Sequence, residues 1–256
     1  MSIAFYTGVS GMMAAQTHMD VTANNIANVN TVGYKTQESA FQNLLYSRLN
    51  IHSNYDASEN EDGTGKRYDM VGHGVRMRAA NLMYDQGSFL NTERSLDFAI
   101  NGEGLFAIET ASGDMRYTRN GAFYISSEGR RAFLADAEGS YVLDRRGRQI
   151  QLEFDNAGNP ITEGLADKLG VYHFANPYGL TPAGGGSFTA TDISGAAKAA
   201  AADDESSTVL QGFLENSNVE LSDQMVNLIQ AQRSFQMNSR VVQAADQIDE
   251  MINNLR

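Results

Sequence analysis

Residues 221–255 read LSDQMVNLIQAQRSFQMNSRVVQAADQIDEMINNL and contain neither proline nor glycine. Their larger apolar side chains recur at alternating spacings of four and three, the spacing of an amphipathic helix that packs against another helix. The seam comprises Leu221, Met225, Leu228, Gln232, Phe235, Ser239 and Val242, continued after a phase shift by Ala245, Ile248, Ile252 and Leu255. Just upstream, Ser217 and Glu220 match the S-x-x-E capping box, which marks a helix start. The pattern predicts one long helix that runs almost to Arg256.

The first residues of the chain carry the same spacing. Their seam comprises Phe5, Val9, Met12, Gln16, Met19, Ala23 and Ile26. This pattern predicts a second long helix, and the GVSG stretch from Gly8 to Gly11 predicts a helix contact made by small residues. Each helix carries an apolar stripe too large to leave in water. We therefore expect the two helices to form a coiled-coil-like core, with each other and with neighbouring molecules.

The middle of the chain has a different composition, with frequent glycines and short runs of β-branched and aromatic residues. These runs predict strands. The candidates are 74–84, 98–100, 105–109, 122–125, 149–154, 169–174 and 209–214. The polar, acidic residues 50–66 predict an extended loop, and the Gly- and Ala-rich residues 182–205 predict a return linker.

These patterns predict an α+β protein in four parts. Residues 1–46 form the N-terminal helix and its following segment, and residues 47–75 form an extended polar loop. Residues 76–205 form a β-rich domain that includes the return linker, and residues 206–256 form the C-terminal helix.

Composition excludes several classes of protein. The chain has 256 residues, 42% of them hydrophobic, which is enough to bury a substantial core. Its net charge of -12 disfavours binding to nucleic acid or to an anionic membrane surface. It has no cysteine and therefore no disulfide or thiolate chemistry. No apolar run approaches the roughly 20 residues of a membrane span, and the first residues lack the pattern of a cleaved signal peptide.

Motifs for chemistry are absent or incomplete. The four histidines are isolated, and none stands at metal-ligand spacing with another ligand. The segment from Asp56 to Gly63 offers alternating oxygen ligands but lacks the glycine and glutamate positions of a calcium loop. Asn101 to Gly104 lacks the third glycine and the lysine of a nucleotide loop. We assign no catalytic, cofactor-binding or metal-binding residue, and we expect no cofactor and no enzymatic activity.

Residues 23–35 read ANNIANVNTVGYK, an unusual crowding of asparagines at a predicted helix end, where amides can bond backbone groups. This stretch resembles the N-terminal signature of the flagellar rod and hook axial proteins. Further blocks resemble the same family, in the same order. They are FQNLLY (41–46), DFAINGEGLF (97–106), YTRNGAF (117–123), QGFLENSNV (211–219) and MVNLIQAQRSFQMNS (225–239).

The resemblance implies a structural subunit of the bacterial flagellar basal-body rod, most similar to the distal-rod branch, with the proximal-rod and hook-type branches as alternatives. Such a subunit is exported to the extracytoplasmic space without a cleaved signal and polymerises into a helical tube around the export channel. The tube transmits torque. The implied partners are other copies of the chain and other rod and hook axial proteins, with surrounding basal-body ring proteins as further candidates. Neither nucleic acid nor membrane insertion is expected.

The expected assembly interface combines the two helical seams with the asparagine-rich segment. Its residues are Phe5, Val9, Met12, Met19, Asn24, Asn25, Ile26, Asn28, Gly33, Leu221, Met225, Leu228, Phe235, Val242 and Ile252.

A hypothesis from another functional class is a secreted β-rich enzyme or carbohydrate-binding protein. This hypothesis requires a cleft with carboxyl groups of perturbed pKa in the middle of the chain.

Overall fold

The computed structural model of the chain describes residues 3–50, 68–128, 131–154, 160–200 and 207–255. Three α-helices lie in these ranges: α1 (Ile3–Ala27), the short α2 (Leu165–Lys168) and α3 (Leu221–Asn254). The two long helices therefore stand at the ends of the chain with strands between them, and this confirms the predicted α+β class. Helix α3 begins at Leu221, so Ser217 lies before the helix rather than at its cap. The Ser217 hydroxyl instead accepts a hydrogen bond from the Val219 backbone N–H.

The strands between the helices are short. In chain order they are β1 (Gln37–Asn43), β2 (Tyr46–Asn50), β3 (Tyr68–Gly72), β4 (Val75–Leu82), β5 (Phe89–Asn91), β6 (Phe98–Gly102), β7 (Leu105–Glu109), β8 (Met115–Thr118), β9 (Tyr124–Glu128), β10 (Arg131–Ala135), β11 (Tyr141–Val142), β12 (Gln151–Leu152), β13 (Val171–His173), β14 (Thr181–Gly184), β15 (Ser187–Thr189), β16 (Lys198–Ala199), β17 (Ser207–Gln211) and β18 (Phe213–Glu215).

Contacts divide the chain into two compact units, each built from separate segments. The helical unit contains the described residues of 1–26, 37–81 and 221–256. The β unit contains the described residues of 27–36 and 82–220. The unit boundaries thus differ from the predicted ones, because residues 76–81 lie with the helices while residues 27–36 and 207–220 lie in the β unit.

The antiparallel pairing of β2 with β3 corrects the predicted polar loop at residues 47–75. Strand β1 pairs with β4, and β2 pairs with β3 in a ladder that joins Tyr46 to Gly72 and Asn50 to Tyr68. The two ends of that predicted loop are therefore strands, since ladder hydrogen bonds satisfy their backbone groups. The acidic stretch from Asp56 to Gly63 lies outside the described residues.

The β unit is organised around strand β7, whose LFAIE sequence is buried on both faces of its sheet. Phe106 and Ile108 point into one apolar cluster, while Leu105 and Ala107 point into another. The sheet order through this strand is β12-β10-β11-β7-β8-β15-β14, with β9 paired to β10, β13 to β7, and β16 to β13. Separate two-stranded pairings join β6 to β17 and β5 to β18.

The predicted return linker at residues 182–205 is wrong over much of its length. Strands β14 and β15 form a hairpin there, and β15 pairs with β8. The reason is Phe188, whose side chain is buried in the second cluster and draws this Gly-rich segment onto the sheet. The predicted strand at 209–214 is present but divides into β17 and β18 around Gly212.

Helices α1 and α3 pack through small residues. A Cβ atom built on Gly8 would lie 2.8 Å from Cγ2 of Val242, and one on Gly11 would lie 2.7 Å from the Asn238 amide. Near the other end of α1, Asn25 bonds Gln224, so the two helices run antiparallel. The small-residue contact predicted for Gly8 to Gly11 is confirmed.

The least exposed positions of α3 correct the predicted seam. They are Gln224, Asn227, Leu228, Ala231, Phe235, Asn238, Ser239, Val242, Ala245 and Asp249, and most of them are spaced by four and three. This seam shares Leu228, Phe235, Ser239, Val242 and Ala245 with the predicted one, but Leu221, Met225 and Ile252 are exposed. Because the helices approach closely at Gly8 and Gly11, small and polar residues also face the contact. The predicted seam consists mainly of large apolar residues and therefore misses several of them.

Replacement of Gly8 by Leu should weaken the pairing of the helices. The new side chain must displace the stiff Val242, and such overpacking costs about 1–3 kcal/mol, more than the roughly 1 kcal/mol gained by removing a helical glycine. Urea unfolding followed by helical circular dichroism should show a lower free energy of unfolding. The control is Ala4→Leu on the exposed side of α1, which should change it by less than about 0.5 kcal/mol. An unchanged Gly8→Leu protein would contradict this packing.

Candidate assembly surface

Pairing of the long helices leaves many large apolar side chains exposed. On α1 they are Ile3, Tyr6 and Met13, and on α3 they are Leu221, Met225, Val226, Ile229, Met237, Val241, Ile248, Met251 and Ile252, with Leu255 directly after the end of α3. We call these thirteen residues the apolar surface. A soluble monomer seldom exposes so many large apolar side chains on two helices, and such patches mark contacts with other molecules. The chemistry that this surface offers is therefore association.

The fifteen predicted interface residues differ in exposure. Asn25 and Gly33 are buried. Nine are half-buried: Phe5, Val9, Met12, Met19, Ile26, Asn28, Leu228, Phe235 and Val242. Four are exposed: Asn24, Leu221, Met225 and Ile252. The structure thus gives many of these residues contacts inside the chain and leaves Leu221, Met225 and Ile252 on the apolar surface.

Asn25 joins three segments of the helical unit. Its side-chain N–H donates to the Gln37 carbonyl at 2.8 Å and to the Gln224 Oε1 at 3.1 Å, while its Oδ1 accepts from the Gln37 backbone N–H at 3.0 Å. These bonds tie α1 to the start of β1 and to the first turn of α3. An asparagine is needed because one amide supplies both donors and an acceptor at a buried position.

Asn28 and Gly33 shape the turn that follows α1. The Asn28 Oδ1 accepts from the Thr31 hydroxyl, and the Asn28 carbonyl accepts from the Thr31 backbone N–H. Gly33 has a φ of +68°, and a Cβ there would lie 2.7 Å from the Arg119 backbone carbon. Its N–H donates to the Glu215 carbonyl at 2.8 Å. Glycine is required at this position both by the left-handed φ and by the close approach of another backbone.

A buried ionic cluster in the β unit holds this turn in place. The Glu215 carboxylate pairs with the Lys35 ammonium at 2.7 Å and with the Arg119 guanidinium, and all three side chains are buried. It also accepts the Gly87 N–H at 3.0 Å. Arg119 donates to the carbonyls of Ile100, Gly102 and Gly104, and Lys35 donates to that of Asp85. Almost every donor of the cluster therefore has an acceptor, as buried charges require.

The pKa values in the cluster follow from its charges. Burial by itself would raise the pKa of Glu215, but Arg119 and Lys35 together hold it below its ordinary value of 4.5. Burial lowers the pKa of Lys35, and its pairing with Glu215 offsets this only in part because Arg119 repels it. With two cations and one anion, the carboxylate is the group that gains most from the cluster.

Three of the family-like blocks meet at this cluster. Lys35 ends the asparagine-rich block, Arg119 lies in YTRNGAF, and Glu215 lies in QGFLENSNV. From the same last block, Asn218 accepts from the Thr36 backbone N–H at 2.8 Å and donates to the Met83 carbonyl at 3.0 Å. Sequence reasoning missed these residues. The available signal was an isolated charged residue within each otherwise apolar or amide-rich block.

The structure offers little support for catalysis. Within the described ranges, no three His, Asp or Glu side chains come together as a metal site would need. Among the described residues, the pKa values of Glu215 and Asp144 are lowered, with arginines among the causes, although burial alone would raise them. A general acid needs a raised pKa instead. In the described part of the chain, neither long helix is apolar enough to span a membrane.

Replacement of Glu215 by Gln should destabilise the β unit strongly. Lys35 and Arg119 would then be buried without a counter-charge, and breaking a buried pair costs about 3–5 kcal/mol. Chemical denaturation should report this loss. Glu153→Gln, at an exposed position of the same unit, serves as the control and should cost less than about 0.5 kcal/mol. A loss no larger than the control's would contradict the anchoring role.

The same anchor predicts an acid sensitivity. Because the folded-state pKa of Glu215 lies below 4.5, its stabilising effect is complete above that pH and is lost as the pH falls through the folded value. The difference in free energy of unfolding between the wild type and Glu215→Gln should therefore shrink in acid. Denaturation curves at neutral pH and at a series of acidic values test this. A difference that stays constant across this pH range would show that the ionised carboxylate of Glu215 is not the source of the stabilisation.

Three family models match the chain. Residues 5–35 match the flagella basal body rod protein family, residues 99–163 the flagellar hook protein FlgE/F/G D1 domain, and residues 210–255 the flagellar basal body rod FlgEFG protein C-terminal family. The matched ranges contain nearly all of α1 and the whole of α3, and each range contains one residue of the ionic cluster: Lys35, Arg119 or Glu215.

Whole-length relatives agree with these matches. The flagellar basal-body rod protein FlgG of Bacillus subtilis is 33% identical, over 99% of this chain and 98% of the relative. FlgG of Caulobacter vibrioides is 34% identical, over 99% of both chains. The flagellar hook-basal body complex protein FlhP of Bacillus subtilis is 30% identical, over 94% of both chains. The chain belongs to the flagellar basal-body rod protein family.

Proposed function

We propose that this chain is a structural subunit of the flagellar basal-body rod, of the distal-rod type, and not an enzyme. The observation that carries the proposal is the apolar surface on α1 and α3, present in a chain whose relatives over nearly the whole length are named as FlgG rod proteins. The FlgG names favour the distal-rod type over the hook type. The subunits polymerise into a helical tube that surrounds the export channel.

The apolar surface supplies the driving force for polymerisation. Burial of one large apolar side chain contributes about 1.5–3 kcal/mol, and several of the thirteen are about half exposed or more. The apolar side chains lie on both long helices, so one subunit can contact more than one neighbour. A contact between different surfaces of identical subunits repeats from one subunit to the next, and it generates an open filament when the rotation does not close a ring.

The interface is this surface, which contains Leu221, Met225 and Ile252, the apolar members of the predicted set that remain exposed. The half-buried seam residues and Asn25 act indirectly, because they fix how α1 and α3 present their outer faces. Many parallel contacts of this kind allow the tube to carry torque without slipping. The partners are further copies of the chain and the adjoining rod and hook axial proteins, in an extracytoplasmic location.

Met225→Glu and Ile252→Glu should each permit export but prevent rod assembly. Each variant replaces an exposed apolar side chain by a charge that the polymer must desolvate at every copy. The assay is complementation of a strain that lacks this subunit, with secreted protein measured separately from rods counted by electron microscopy. We expect rod numbers to fall by at least about tenfold, the effect of roughly 1.4 kcal/mol per contact.

Gln243→Glu provides the matched control on the same helix. Gln243 is exposed and polar, so the variant adds the same charge without removing apolar area. It should support rod assembly near the wild-type level. Normal rods from both Met225→Glu and Ile252→Glu would contradict the proposed interface, and failure of the wild-type chain to complement would contradict the rod assignment itself.

A further inference from the structure

The β unit contains a cleft that the helical surface does not explain. Its volume is about 530 Å³, and its walls include the aromatic rings of Tyr84, Phe174 and Tyr178. The Tyr84 and Tyr178 rings stand edge to face with their centroids 5.8 Å apart, and Tyr178 is 66% exposed. We call this feature the aromatic cleft.

Two exposed acidic side chains, Asp85 and Glu103, also line the aromatic cleft. Within the described residues, neither carboxylate forms a hydrogen bond or an ion pair. Lys35 and Arg119 also line it, but both are buried and bound to Glu215 and to backbone carbonyls. The exposed charge of the cleft is therefore negative.

The Tyr84 hydroxyl is a further group in the cleft that lacks a partner. It is buried and makes no hydrogen bond within the described part of the chain. Burial, together with the neighbouring Tyr178, raises the pKa of Tyr84 to about 12, so the phenol stays neutral and can accept a hydrogen bond. Aromatic faces, free carboxylates and an unsatisfied oxygen are together the groups that bind a guanidinium.

A complementary surface lies elsewhere on the β unit. Residues 144–148 read DRRGR and form a turn, which we call the basic turn. Arg148 pairs with Asp144 at 2.8 Å, and Asp144 also accepts the Arg146 backbone N–H at 2.7 Å. The guanidinium groups of Arg145 and Arg146 have no ion pair in the described residues, and the exposed Lys168 and Asp167 line the same surface, where the cations outnumber the carboxylates. Positive charge is thus concentrated in one turn of a chain whose net charge is -12.

We propose that the basic turn of one subunit docks into the aromatic cleft of a second copy, with Arg146 against Tyr178 and between Asp85 and Glu103. The proposal rests on the proposed rod function, and charge complementarity between two surfaces of the same chain identifies the occupant. Arginine suits the site because its planar guanidinium stacks on aromatic rings and bonds carboxylates at the same time. Since the two surfaces differ, the contact is heterologous and repeats from subunit to subunit.

Charge reversal and its repair test the contact in the complemented strain. Arg146→Glu and Glu103→Arg should each lower the number of rods by about tenfold, because like charges then face each other across the contact. The double variant Arg146→Glu with Glu103→Arg restores opposite charges and should recover most of the loss. Arg131→Glu, exposed on β10 of the same unit, makes the same charge change away from both surfaces and should have no effect.

Cross-linking gives an independent readout. The chain has no cysteine, so Arg146→Cys and Glu103→Cys introduce the only thiols. In isolated rods, a short bismaleimide should convert the double-cysteine chain into a ladder of covalent multimers, while each single-cysteine chain should give no ladder. Cross-linking confined to single chains, or a ladder absent from rods that assemble normally, would overturn the proposal.

The outcomes separate this contact from the rod function. If the wild-type chain does not complement, the proposed function fails. If the wild type builds rods and both single charge reversals build them equally well, only the contact fails. Loss of rods in the single variants without recovery in the double variant also counts against the pairing, and a ladder formed with another axial protein would assign the cleft to a different occupant.

Discussion

The buried pairing of Glu215 with Lys35 and Arg119 is the interaction on which the arrangement of the β unit most depends. One carboxylate gathers the segment that follows α1, the strand that precedes α3 and a turn next to β8. Such a cluster is expensive to bury and tolerates little displacement, because each charge needs its partner at hydrogen-bond distance. The cluster therefore acts mainly by fixing the positions of the segments that it joins. It determines where the two chain segments adjoining the long helices lie within the β unit.

In the helical unit, packing within the chain and association between chains use different residues. The contact between α1 and α3 is made close by Gly8 and Gly11, and it buries alanines and amides. The methionines and isoleucines of α3 remain exposed, as do its Leu221, Val226 and Val241. Because small residues make the contact between the two helices, large apolar residues stay exposed and can contact neighbouring subunits. This arrangement is expected of a polymer subunit. The polar Asn25 adds specificity because its amide groups can be satisfied in only one alignment.

Rod function does not require a reactive centre, and the chemistry of the β unit is consistent with this. Among its described charged side chains, some are buried and paired, as at Glu215, and others stand exposed on turns and rims, as at Arg146 and Glu103. The buried charges organise the chain, whereas the exposed ones are available to recognise a neighbour. The aromatic cleft and the basic turn would add a selective contact to the less selective attraction of the apolar surface.

The amino-acid sequence by itself determined the two long helices, the β-rich middle and the family, because helical periodicity, strand alternation and the collinear blocks are local signals. It indicated the small-residue contact at Gly8 to Gly11 and the structural role of the asparagines. It could not place the α3 seam, because Leu221, Met225 and Ile252 have the spacing of buried residues and only contact with α1 decides which face is covered. It missed the strands around Phe188 for a similar reason. Glycine-rich composition predicts a linker, and only the folded structure shows that Phe188 is buried in the core. Only the tertiary structure brought together Lys35, Arg119 and Glu215, because attraction between charges far apart in the chain depends on distance in space, which no local pattern encodes.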